Sequence, residues 1–438
     1  MILILLAQAA AAAAGAPPPV PVAQPPGAVA APAVSQPAEP EKIPPREGVT
    51  TYGPDFFAAY RPNNALEMVQ RLPGFTLDTG DTVRGYEGAA GNVLIDGQRP
   101  ATKADTLDQS LYRIPASAVD HIDVIRGSAP GIDMQGKTVI ANVVRKNGGA
   151  FHGLLAAQDT YLKDGRNYWA VRAEGTGKAG PGTWEGGVFA GEGQDGGLGD
   201  GPLSQVSPSG QPLQAGRIHV QGEAFNLVAN GAVEEPLWGG RIRLNTRINS
   251  QPYDSDETDF ITAPTVQQQT EHQDDNVFQT EFGARYTHAL GGRASLETVL
   301  LRQDKHERYN DDFRQVGDRQ LFHLDDRTAE SIARAVVSFP QNARLSWEGG
   351  AEVAYNTLES ATTFSDNGAP VALPASNVVV QEKRAEVFGK ATWRVLPTVT
   401  LEGGLREEGS NISSARDVVL DKTLYYTKPR VVVTWQAL

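Results

Sequence analysis

From residue 150 onward, apolar and polar residues alternate in long runs, the period of a β-strand with one buried face. The run 241–248 is the clearest. Ile242, Leu244, Thr246 and Ile248 share one side, and Arg241, Arg243, Asn245 and Arg247 the other. In 345–355, Leu345, Trp347, Ala351, Val353 and Tyr355 stand opposite Ser346, Glu348 and Glu352. In 384–395, Val387, Ala391, Trp393 and Val395 stand opposite Arg384, Glu386, Lys390 and Arg394. Segments 278–286 and 399–405 repeat the arrangement. About 12 strands follow from Phe151 to the last residue. A water-soluble sandwich has the same period, but the connections separate the two readings. Short turns fall near 180–181, 239–240, 291–292, 340 and 397. Longer polar connections fall near 193–216, 251–275, 303–327, 358–378 and 408–423. Short and long alternate, as in a transmembrane β-barrel with tight turns at one rim and long excursions at the other. The expectation for residues 150–438 is therefore an antiparallel transmembrane β-barrel.

Residues 48–146 have a different rhythm. Pro62-Asn63-Asn64 opens a helix carrying Leu66, Val69 and Leu72, and Pro73-Gly74 stops it. The run 92–96 is a short strand ending in the Asp96-Gly97 turn. Thr102 and Asp105 form a capping box before Leu107, Leu111 and Ile114, and Pro115 ends that helix. Two strands rich in Val and Ile follow at 119–126 and 139–144. This is a small α+β domain. Ahead of it, residues 1–16 read as a secretory signal peptide, apolar and then alanine-rich, although no Lys or Arg precedes the apolar run. Residues 17–47 form a Pro-rich spacer suited to polyproline II.

Composition narrows the function. The 438 residues include 0 cysteines, which removes disulfides, thiolate nucleophiles and Cys-ligated metals together. The net charge of -13 argues against nucleic acid as a partner. Beyond residue 16 there is no apolar run of about 18 residues, so no transmembrane helix is expected there.

The chemical motifs are mostly negative. The run 131–138 matches the phosphate-loop string, but a strand-like segment follows where a phosphate site needs a helix N-terminus. His272 with Asp274 and Asp275, and His323 with Asp325 and Asp326, lie in expected loops as solvated charge or as weak metal contacts. The run 254–259 offers Asp254, Asp256, Glu257 and Asp259 for calcium, without the glycine and terminal Glu of an EF-hand loop. No Gly-x-Ser-x-Gly elbow occurs. No catalytic residue, metal site or cofactor is expected. Arg84 and Arg126 each precede a glycine at a strand end, as surface cations or as an ionic latch to barrel carboxylates. Tyr253, Tyr309 and Phe313 suit ligand contacts or lipid-interface anchors.

The runs 62–75, 83–85, 92–97, 114–116 and 119–127 occur in the order found in the plug domain of TonB-dependent outer-membrane receptors, and residues 48–146 resemble that domain. The later strands are similar in pattern only. The resemblance implies a plug inside a barrel of about 22 strands in the Gram-negative outer membrane. It further implies energised uptake of a scarce small molecule (a ferric siderophore, cobalamin or oligosaccharide) with TonB, ExbB and ExbD as partners. A periplasmic TonB box pairs with TonB by β-augmentation. Its candidate here is Gly48, Val49, Thr50, Thr51 and Tyr52, which equally suit the first strand of the plug. The family's plug arginines map onto Arg84 and Arg126. The chain departs from the pattern in two ways: about 12 strands, too few to enclose a plug, and a last strand ending in Leu438 rather than an aromatic residue. The expectation is a truncated barrel, with a ligand sensor that does not transport as the alternative and a barrel-embedded hydrolase finding no triad.

Overall fold

The structure, a computed structural model, describes residues 48–80, 91–99, 103, 106–126, 137, 139–146, 151–162, 165–193, 199–342, 344–396 and 398–435. The signal-peptide and spacer segments, Arg84, and the capping-box residues Thr102 and Asp105 lie outside them.

The α+β domain is built on a four-stranded sheet: β1 (Val49–Tyr52), β2 (Val93–Ile95), β3 (Val119–Arg126) and β4 (Val139–Arg145). The order is β1-β3-β4-β2, with β2 parallel to β4 and the other pairs antiparallel. Three short helices pack near it: α1 (Pro54–Phe57), α2 (Ala65–Val69) and α3 (Leu107–Tyr112). Asn64 starts α2 as the sequence suggests, its side chain accepting from the Glu67 amide at 3.0 Å. The helix α3 starts later than expected, at Leu107, with Thr106 before it. Asp96 and Gly97 both take positive φ, the geometry of a two-residue hairpin turn. Met68, Val69, Leu111, Ile122, Val124 and Val143 close the core.

The remaining strands form one 14-stranded antiparallel sheet. Twelve follow a nearest-neighbour path: β5 (His152–Tyr161), β6 (Asn167–Ala179), β7 (Gly182–Gly193), β9 (Pro212–Leu237), β10 (Gly240–Ala263), β11 (Gln267–Ala289), β12 (Ser295–Gln315), β13 (Asp318–Pro340), β14 (Leu345–Asp366), β16 (Asn377–Leu396), β17 (Val399–Arg416) and β18 (Leu420–Trp435). Two shorter strands, β8 (Gly199–Val206) and β15 (Ala369–Val371), add to β9 and β14. Among the described residues the path ends at β5 and β18, which do not pair with each other.

The alternation seen in the sequence becomes two faces. Ile248, Phe282, Leu300, Trp347, Val387 and Trp393 are exposed on one. Arg247, Glu281, Arg285, Arg334, Glu352 and Arg384 are buried on the other. The registers β10–β11, β11–β12 and β12–β13 run without a bulge, so no strand there exchanges its faces. Polar residues on both sides of a strand do not interrupt it. The expected long connections at 251–275, 303–327 and 358–378 are therefore mostly strand, turned by short links such as Val316-Gly317 and Asn367-Gly368. Strand height, not loop length, distinguishes the two rims. β10 has 24 residues and β11 has 23, about twice the 9–11 that cross a bilayer.

Leu111 is fully buried. Replacing it with alanine should lower the stability of the α+β domain by about 2–5 kcal/mol, read as a shift in its urea midpoint in detergent.

Candidate functional site

The sheet face that carries the buried charges is the face against which the α+β domain rests, and the contacts between them are polar. Arg145, at the end of β4, is first fixed by its own domain: its amide and Nε donate to Asp96 at 2.8 and 2.6 Å. Its Nη1 then donates to Glu185 on β7 at 2.6 Å. Arg243 on β10 donates to the other oxygen of Glu185, so one barrel carboxylate joins two barrel strands to the small domain. Burial disfavours the Arg145 charge, but Glu185 and Asp96 outweigh that and raise its pKa.

Three further tethers surround this one. Lys103 donates from its amide to Glu281 at 2.9 Å and from Nζ to Glu330 at 2.6 Å. Arg285 donates to Gln98 at 2.9 Å. Arg172 donates to the Tyr112 carbonyl at 3.2 Å and lies 4.0 Å over its ring. Between domain and wall is a cavity of about 570 Å³, lined in part by Arg99, Arg113, Arg145, Arg243, Arg247 and Arg285.

The sequence-selected residues fall elsewhere. Residues 49–52 are strand β1, paired with 122–125 of β3. Thr51 donates to Asp123 at 2.5 Å, and Gly48 accepts from the Arg126 amide at 2.8 Å. The Arg126 guanidinium donates to Gly74 at 3.0 Å and Pro73 at 2.7 Å, carbonyls of its own domain. Gly74 has φ +62, and a Cβ there would stand 3.1 Å from Arg126 Nη2, so the turn admits the guanidinium because it is glycine. Lys137, within the phosphate-loop string, is paired with Asp78, and β4 rather than a helix begins at Val139. His272 and His323 stand in strands β11 and β13, not in loops. Asp254 and Asp256 face out beside His272, while Asp259 lies on the opposite face.

Sequence reasoning missed the tethers. Glu185 and Glu281 are single carboxylates on the polar faces of their strands, and nothing local separates them from other lumen charges. Arg145 ends β4 as Arg126 ends β3, and that repetition was the available signal.

Two measurements test this geometry. In a double-mutant cycle, Arg145→Ala and Glu185→Gln should couple by about 0.5–3 kcal/mol in urea unfolding; additivity would show that the contact does not form. Asp78 has its carboxyl held below the usual range, chiefly by the Lys137 hydrogen bond and then by the Gly80 amide. A depressed folded pKa means that its contribution is present above about 3.8 and lost as pH falls below it. The deficit of Asp78→Asn should therefore be seen at pH 7 and shrink by pH 3.

Residues 46–138 match the family model described as TonB-dependent Receptor Plug Domain. No curated protein is significantly similar in sequence. Among solved structures, the ferripyoverdine receptor of Pseudomonas aeruginosa is 11% identical with a TM-score of 0.45, over 90% of this chain and 55% of that one. The siderophore receptor PiuA of Acinetobacter baumannii is 13% identical, TM-score 0.41, over 88% and 61%. The alcaligin receptor FauA of Bordetella pertussis is 12% identical, TM-score 0.41, over 89% and 60%. The chain spans 55% to 61% of the length of these receptors. What the comparisons place on this chain is a TonB-dependent receptor plug domain at residues 46–138, followed here by a long antiparallel sheet.

Proposed function

We propose that the chain is the plug and adjoining wall of a receptor that takes a scarce small molecule across the outer membrane at the cost of energy relayed by TonB, ExbB and ExbD. The observation that carries this reading is how the plug is held. Four polar tethers join plug and wall, and two of them, Arg145 to Glu185 and Arg285 to Gln98, line a cavity of about 570 Å³. Polar contacts can be exchanged for water one at a time, so such a plug can shift without exposing its apolar core. The ligand class left open by the fold includes ferric siderophores, cobalamin and oligosaccharides.

Residues 48–52 are the proposed TonB contact. β1 is the end strand of the plug sheet, which suits β-augmentation. A pull on Gly48 loads the Arg126 amide first, and Arg126 grips the Pro73–Gly74 turn. Arg126, with Arg84, is the proposed latch that such a pull releases.

The absence of cysteine gives a clean test. Thr50→Cys should form a disulfide with a TonB C-terminal domain carrying one cysteine on its receptor-pairing strand. Cross-linking only from cysteines placed before residue 48 would move the TonB contact upstream.

A further inference from the structure

The lumen face changes character along its height. Near the short turns it carries Arg241, Arg243, Arg247 and Arg285. Above Arg247, on β10, β11 and β12, it carries six carboxylates: Glu257, Asp259, Glu271, Asp275, Glu307 and Asp311. These share a face because the registers are unbroken. On the lumen face of the same stretch of these three strands Lys305 is the single Lys or Arg, and it is already paired with Glu307 at 2.6 Å. Asp311 is 6% exposed. One of its oxygens has no hydrogen-bond donor, and the other is 3.5 Å from the Tyr309 hydroxyl. Asp259 and Asp275 likewise each have a buried oxygen without a donor. Buried carboxylates left without donors are costly, and either a proton or a bound cation relieves that cost.

Aromatic rings share the bowl. Tyr253, Tyr309, Phe313 and Phe322 lie on the same face by register, and the Tyr309 and Phe322 rings meet edge to face at 6.0 Å. Carboxylates interleaved with aromatic faces suit a cation with a body of its own. A bare metal ion fits less well. Among the described residues the one trio of ligand atoms within 4.8 Å is Asp254, Asp256 and His272, on the outer wall. The lumen carboxylates do not converge in that way.

We infer that the acidic and aromatic bowl formed by β10, β11, β12 and the Phe322 strand binds a polyvalent cation larger than a bare metal ion, such as a positively charged chelate or polyamine. This rests on the receptor reading for its biological role and names the ligand class of that receptor. Its test does not depend on uptake.

The test is calorimetry of the refolded full chain in zwitterionic detergent, with hexaamminecobalt(III) as probe and ferricyanide as an octahedral complex of opposite charge. Hexaamminecobalt(III) should bind, ferricyanide should not, and added salt should weaken the binding. Asp311→Asn with Glu271→Gln should weaken it at least tenfold, and Asp254→Asn with Asp256→Asn should leave it unchanged. Glu257→Gln with Asp259→Asn should weaken it too, giving a second variant pair if the first folds poorly. Equal binding by the lumen variants, loss only in the outer-wall variant, preference for ferricyanide, or no binding of hexaamminecobalt(III) would each overturn the assignment. If binding holds while no cysteine at residue 50 or before residue 48 cross-links to TonB, the bowl stands and the energised-uptake reading falls.

Discussion

Every backbone amide and carbonyl that crosses hydrocarbon must find its partner within the protein, and a continuous antiparallel ladder is the solution this chain uses. Once the ladder is continuous, the side chains have no freedom to choose a face. The register between β10 and β11 holds from Arg241 to Ile261 without a shift, so the position that seats Arg243 beside Glu185 also sets Glu257 and Asp259 on the lumen face. The apolar coat, the wall behind the plug and the acidic bowl follow from one periodicity.

The plug obeys a different rule. It has an apolar core of its own, with Ile122, Val124 and Ala141 fully buried, and does not need the wall to complete it. What joins it to the wall is charge. The wall carries its own charge ladder: Arg334 to Glu352 at 3.2 Å, Glu352 to Arg384 at 2.6 Å, and Glu408 to Lys428 at 2.8 Å. This pairing keeps a highly charged face compatible with burial. A plug resting on such a face is positioned by geometry and separable by exchange of partners, a combination that apolar packing would not offer.

Much of this was legible in the sequence, for reasons that differ by region. The strands were legible because Ile242, Leu244 and Ile248 against Arg243 and Arg247 is a period that only a half-exposed strand produces. The plug was legible because its blocks are local. The rims were misjudged because polarity is a sign of loops only where one face must be buried; 251–275 is polar on both faces yet stays hydrogen-bonded as β10 and β11. For the same reason Tyr253 and Tyr309 moved from supposed loops to the lumen wall. The tethers were not legible, since the partnership of Arg145 with Glu185, or of Lys103 with Glu281 and Glu330, spans 40 to 227 residues of sequence. Only the folded register brings these together.

The apolar coat, the plug seat and the acidic bowl all depend on the unbroken two-faced ladder, and a cysteine scan of β10 tests that ladder most directly. Single cysteines at each position from 241 to 259 would be labelled in membranes with a water-soluble thiol reagent and, separately, with a lipid-soluble one. The account predicts strict alternation. Odd positions, on the plug and lumen face, should not take the lipid-soluble reagent and should react with the aqueous one where the plug leaves room. Even positions from 242 to 248 should react only from lipid, and those above them from water. A loss of alternation, or an exchange of faces between 249 and 257, would contradict it and would separate the acidic residues from the wall on which the plug sits.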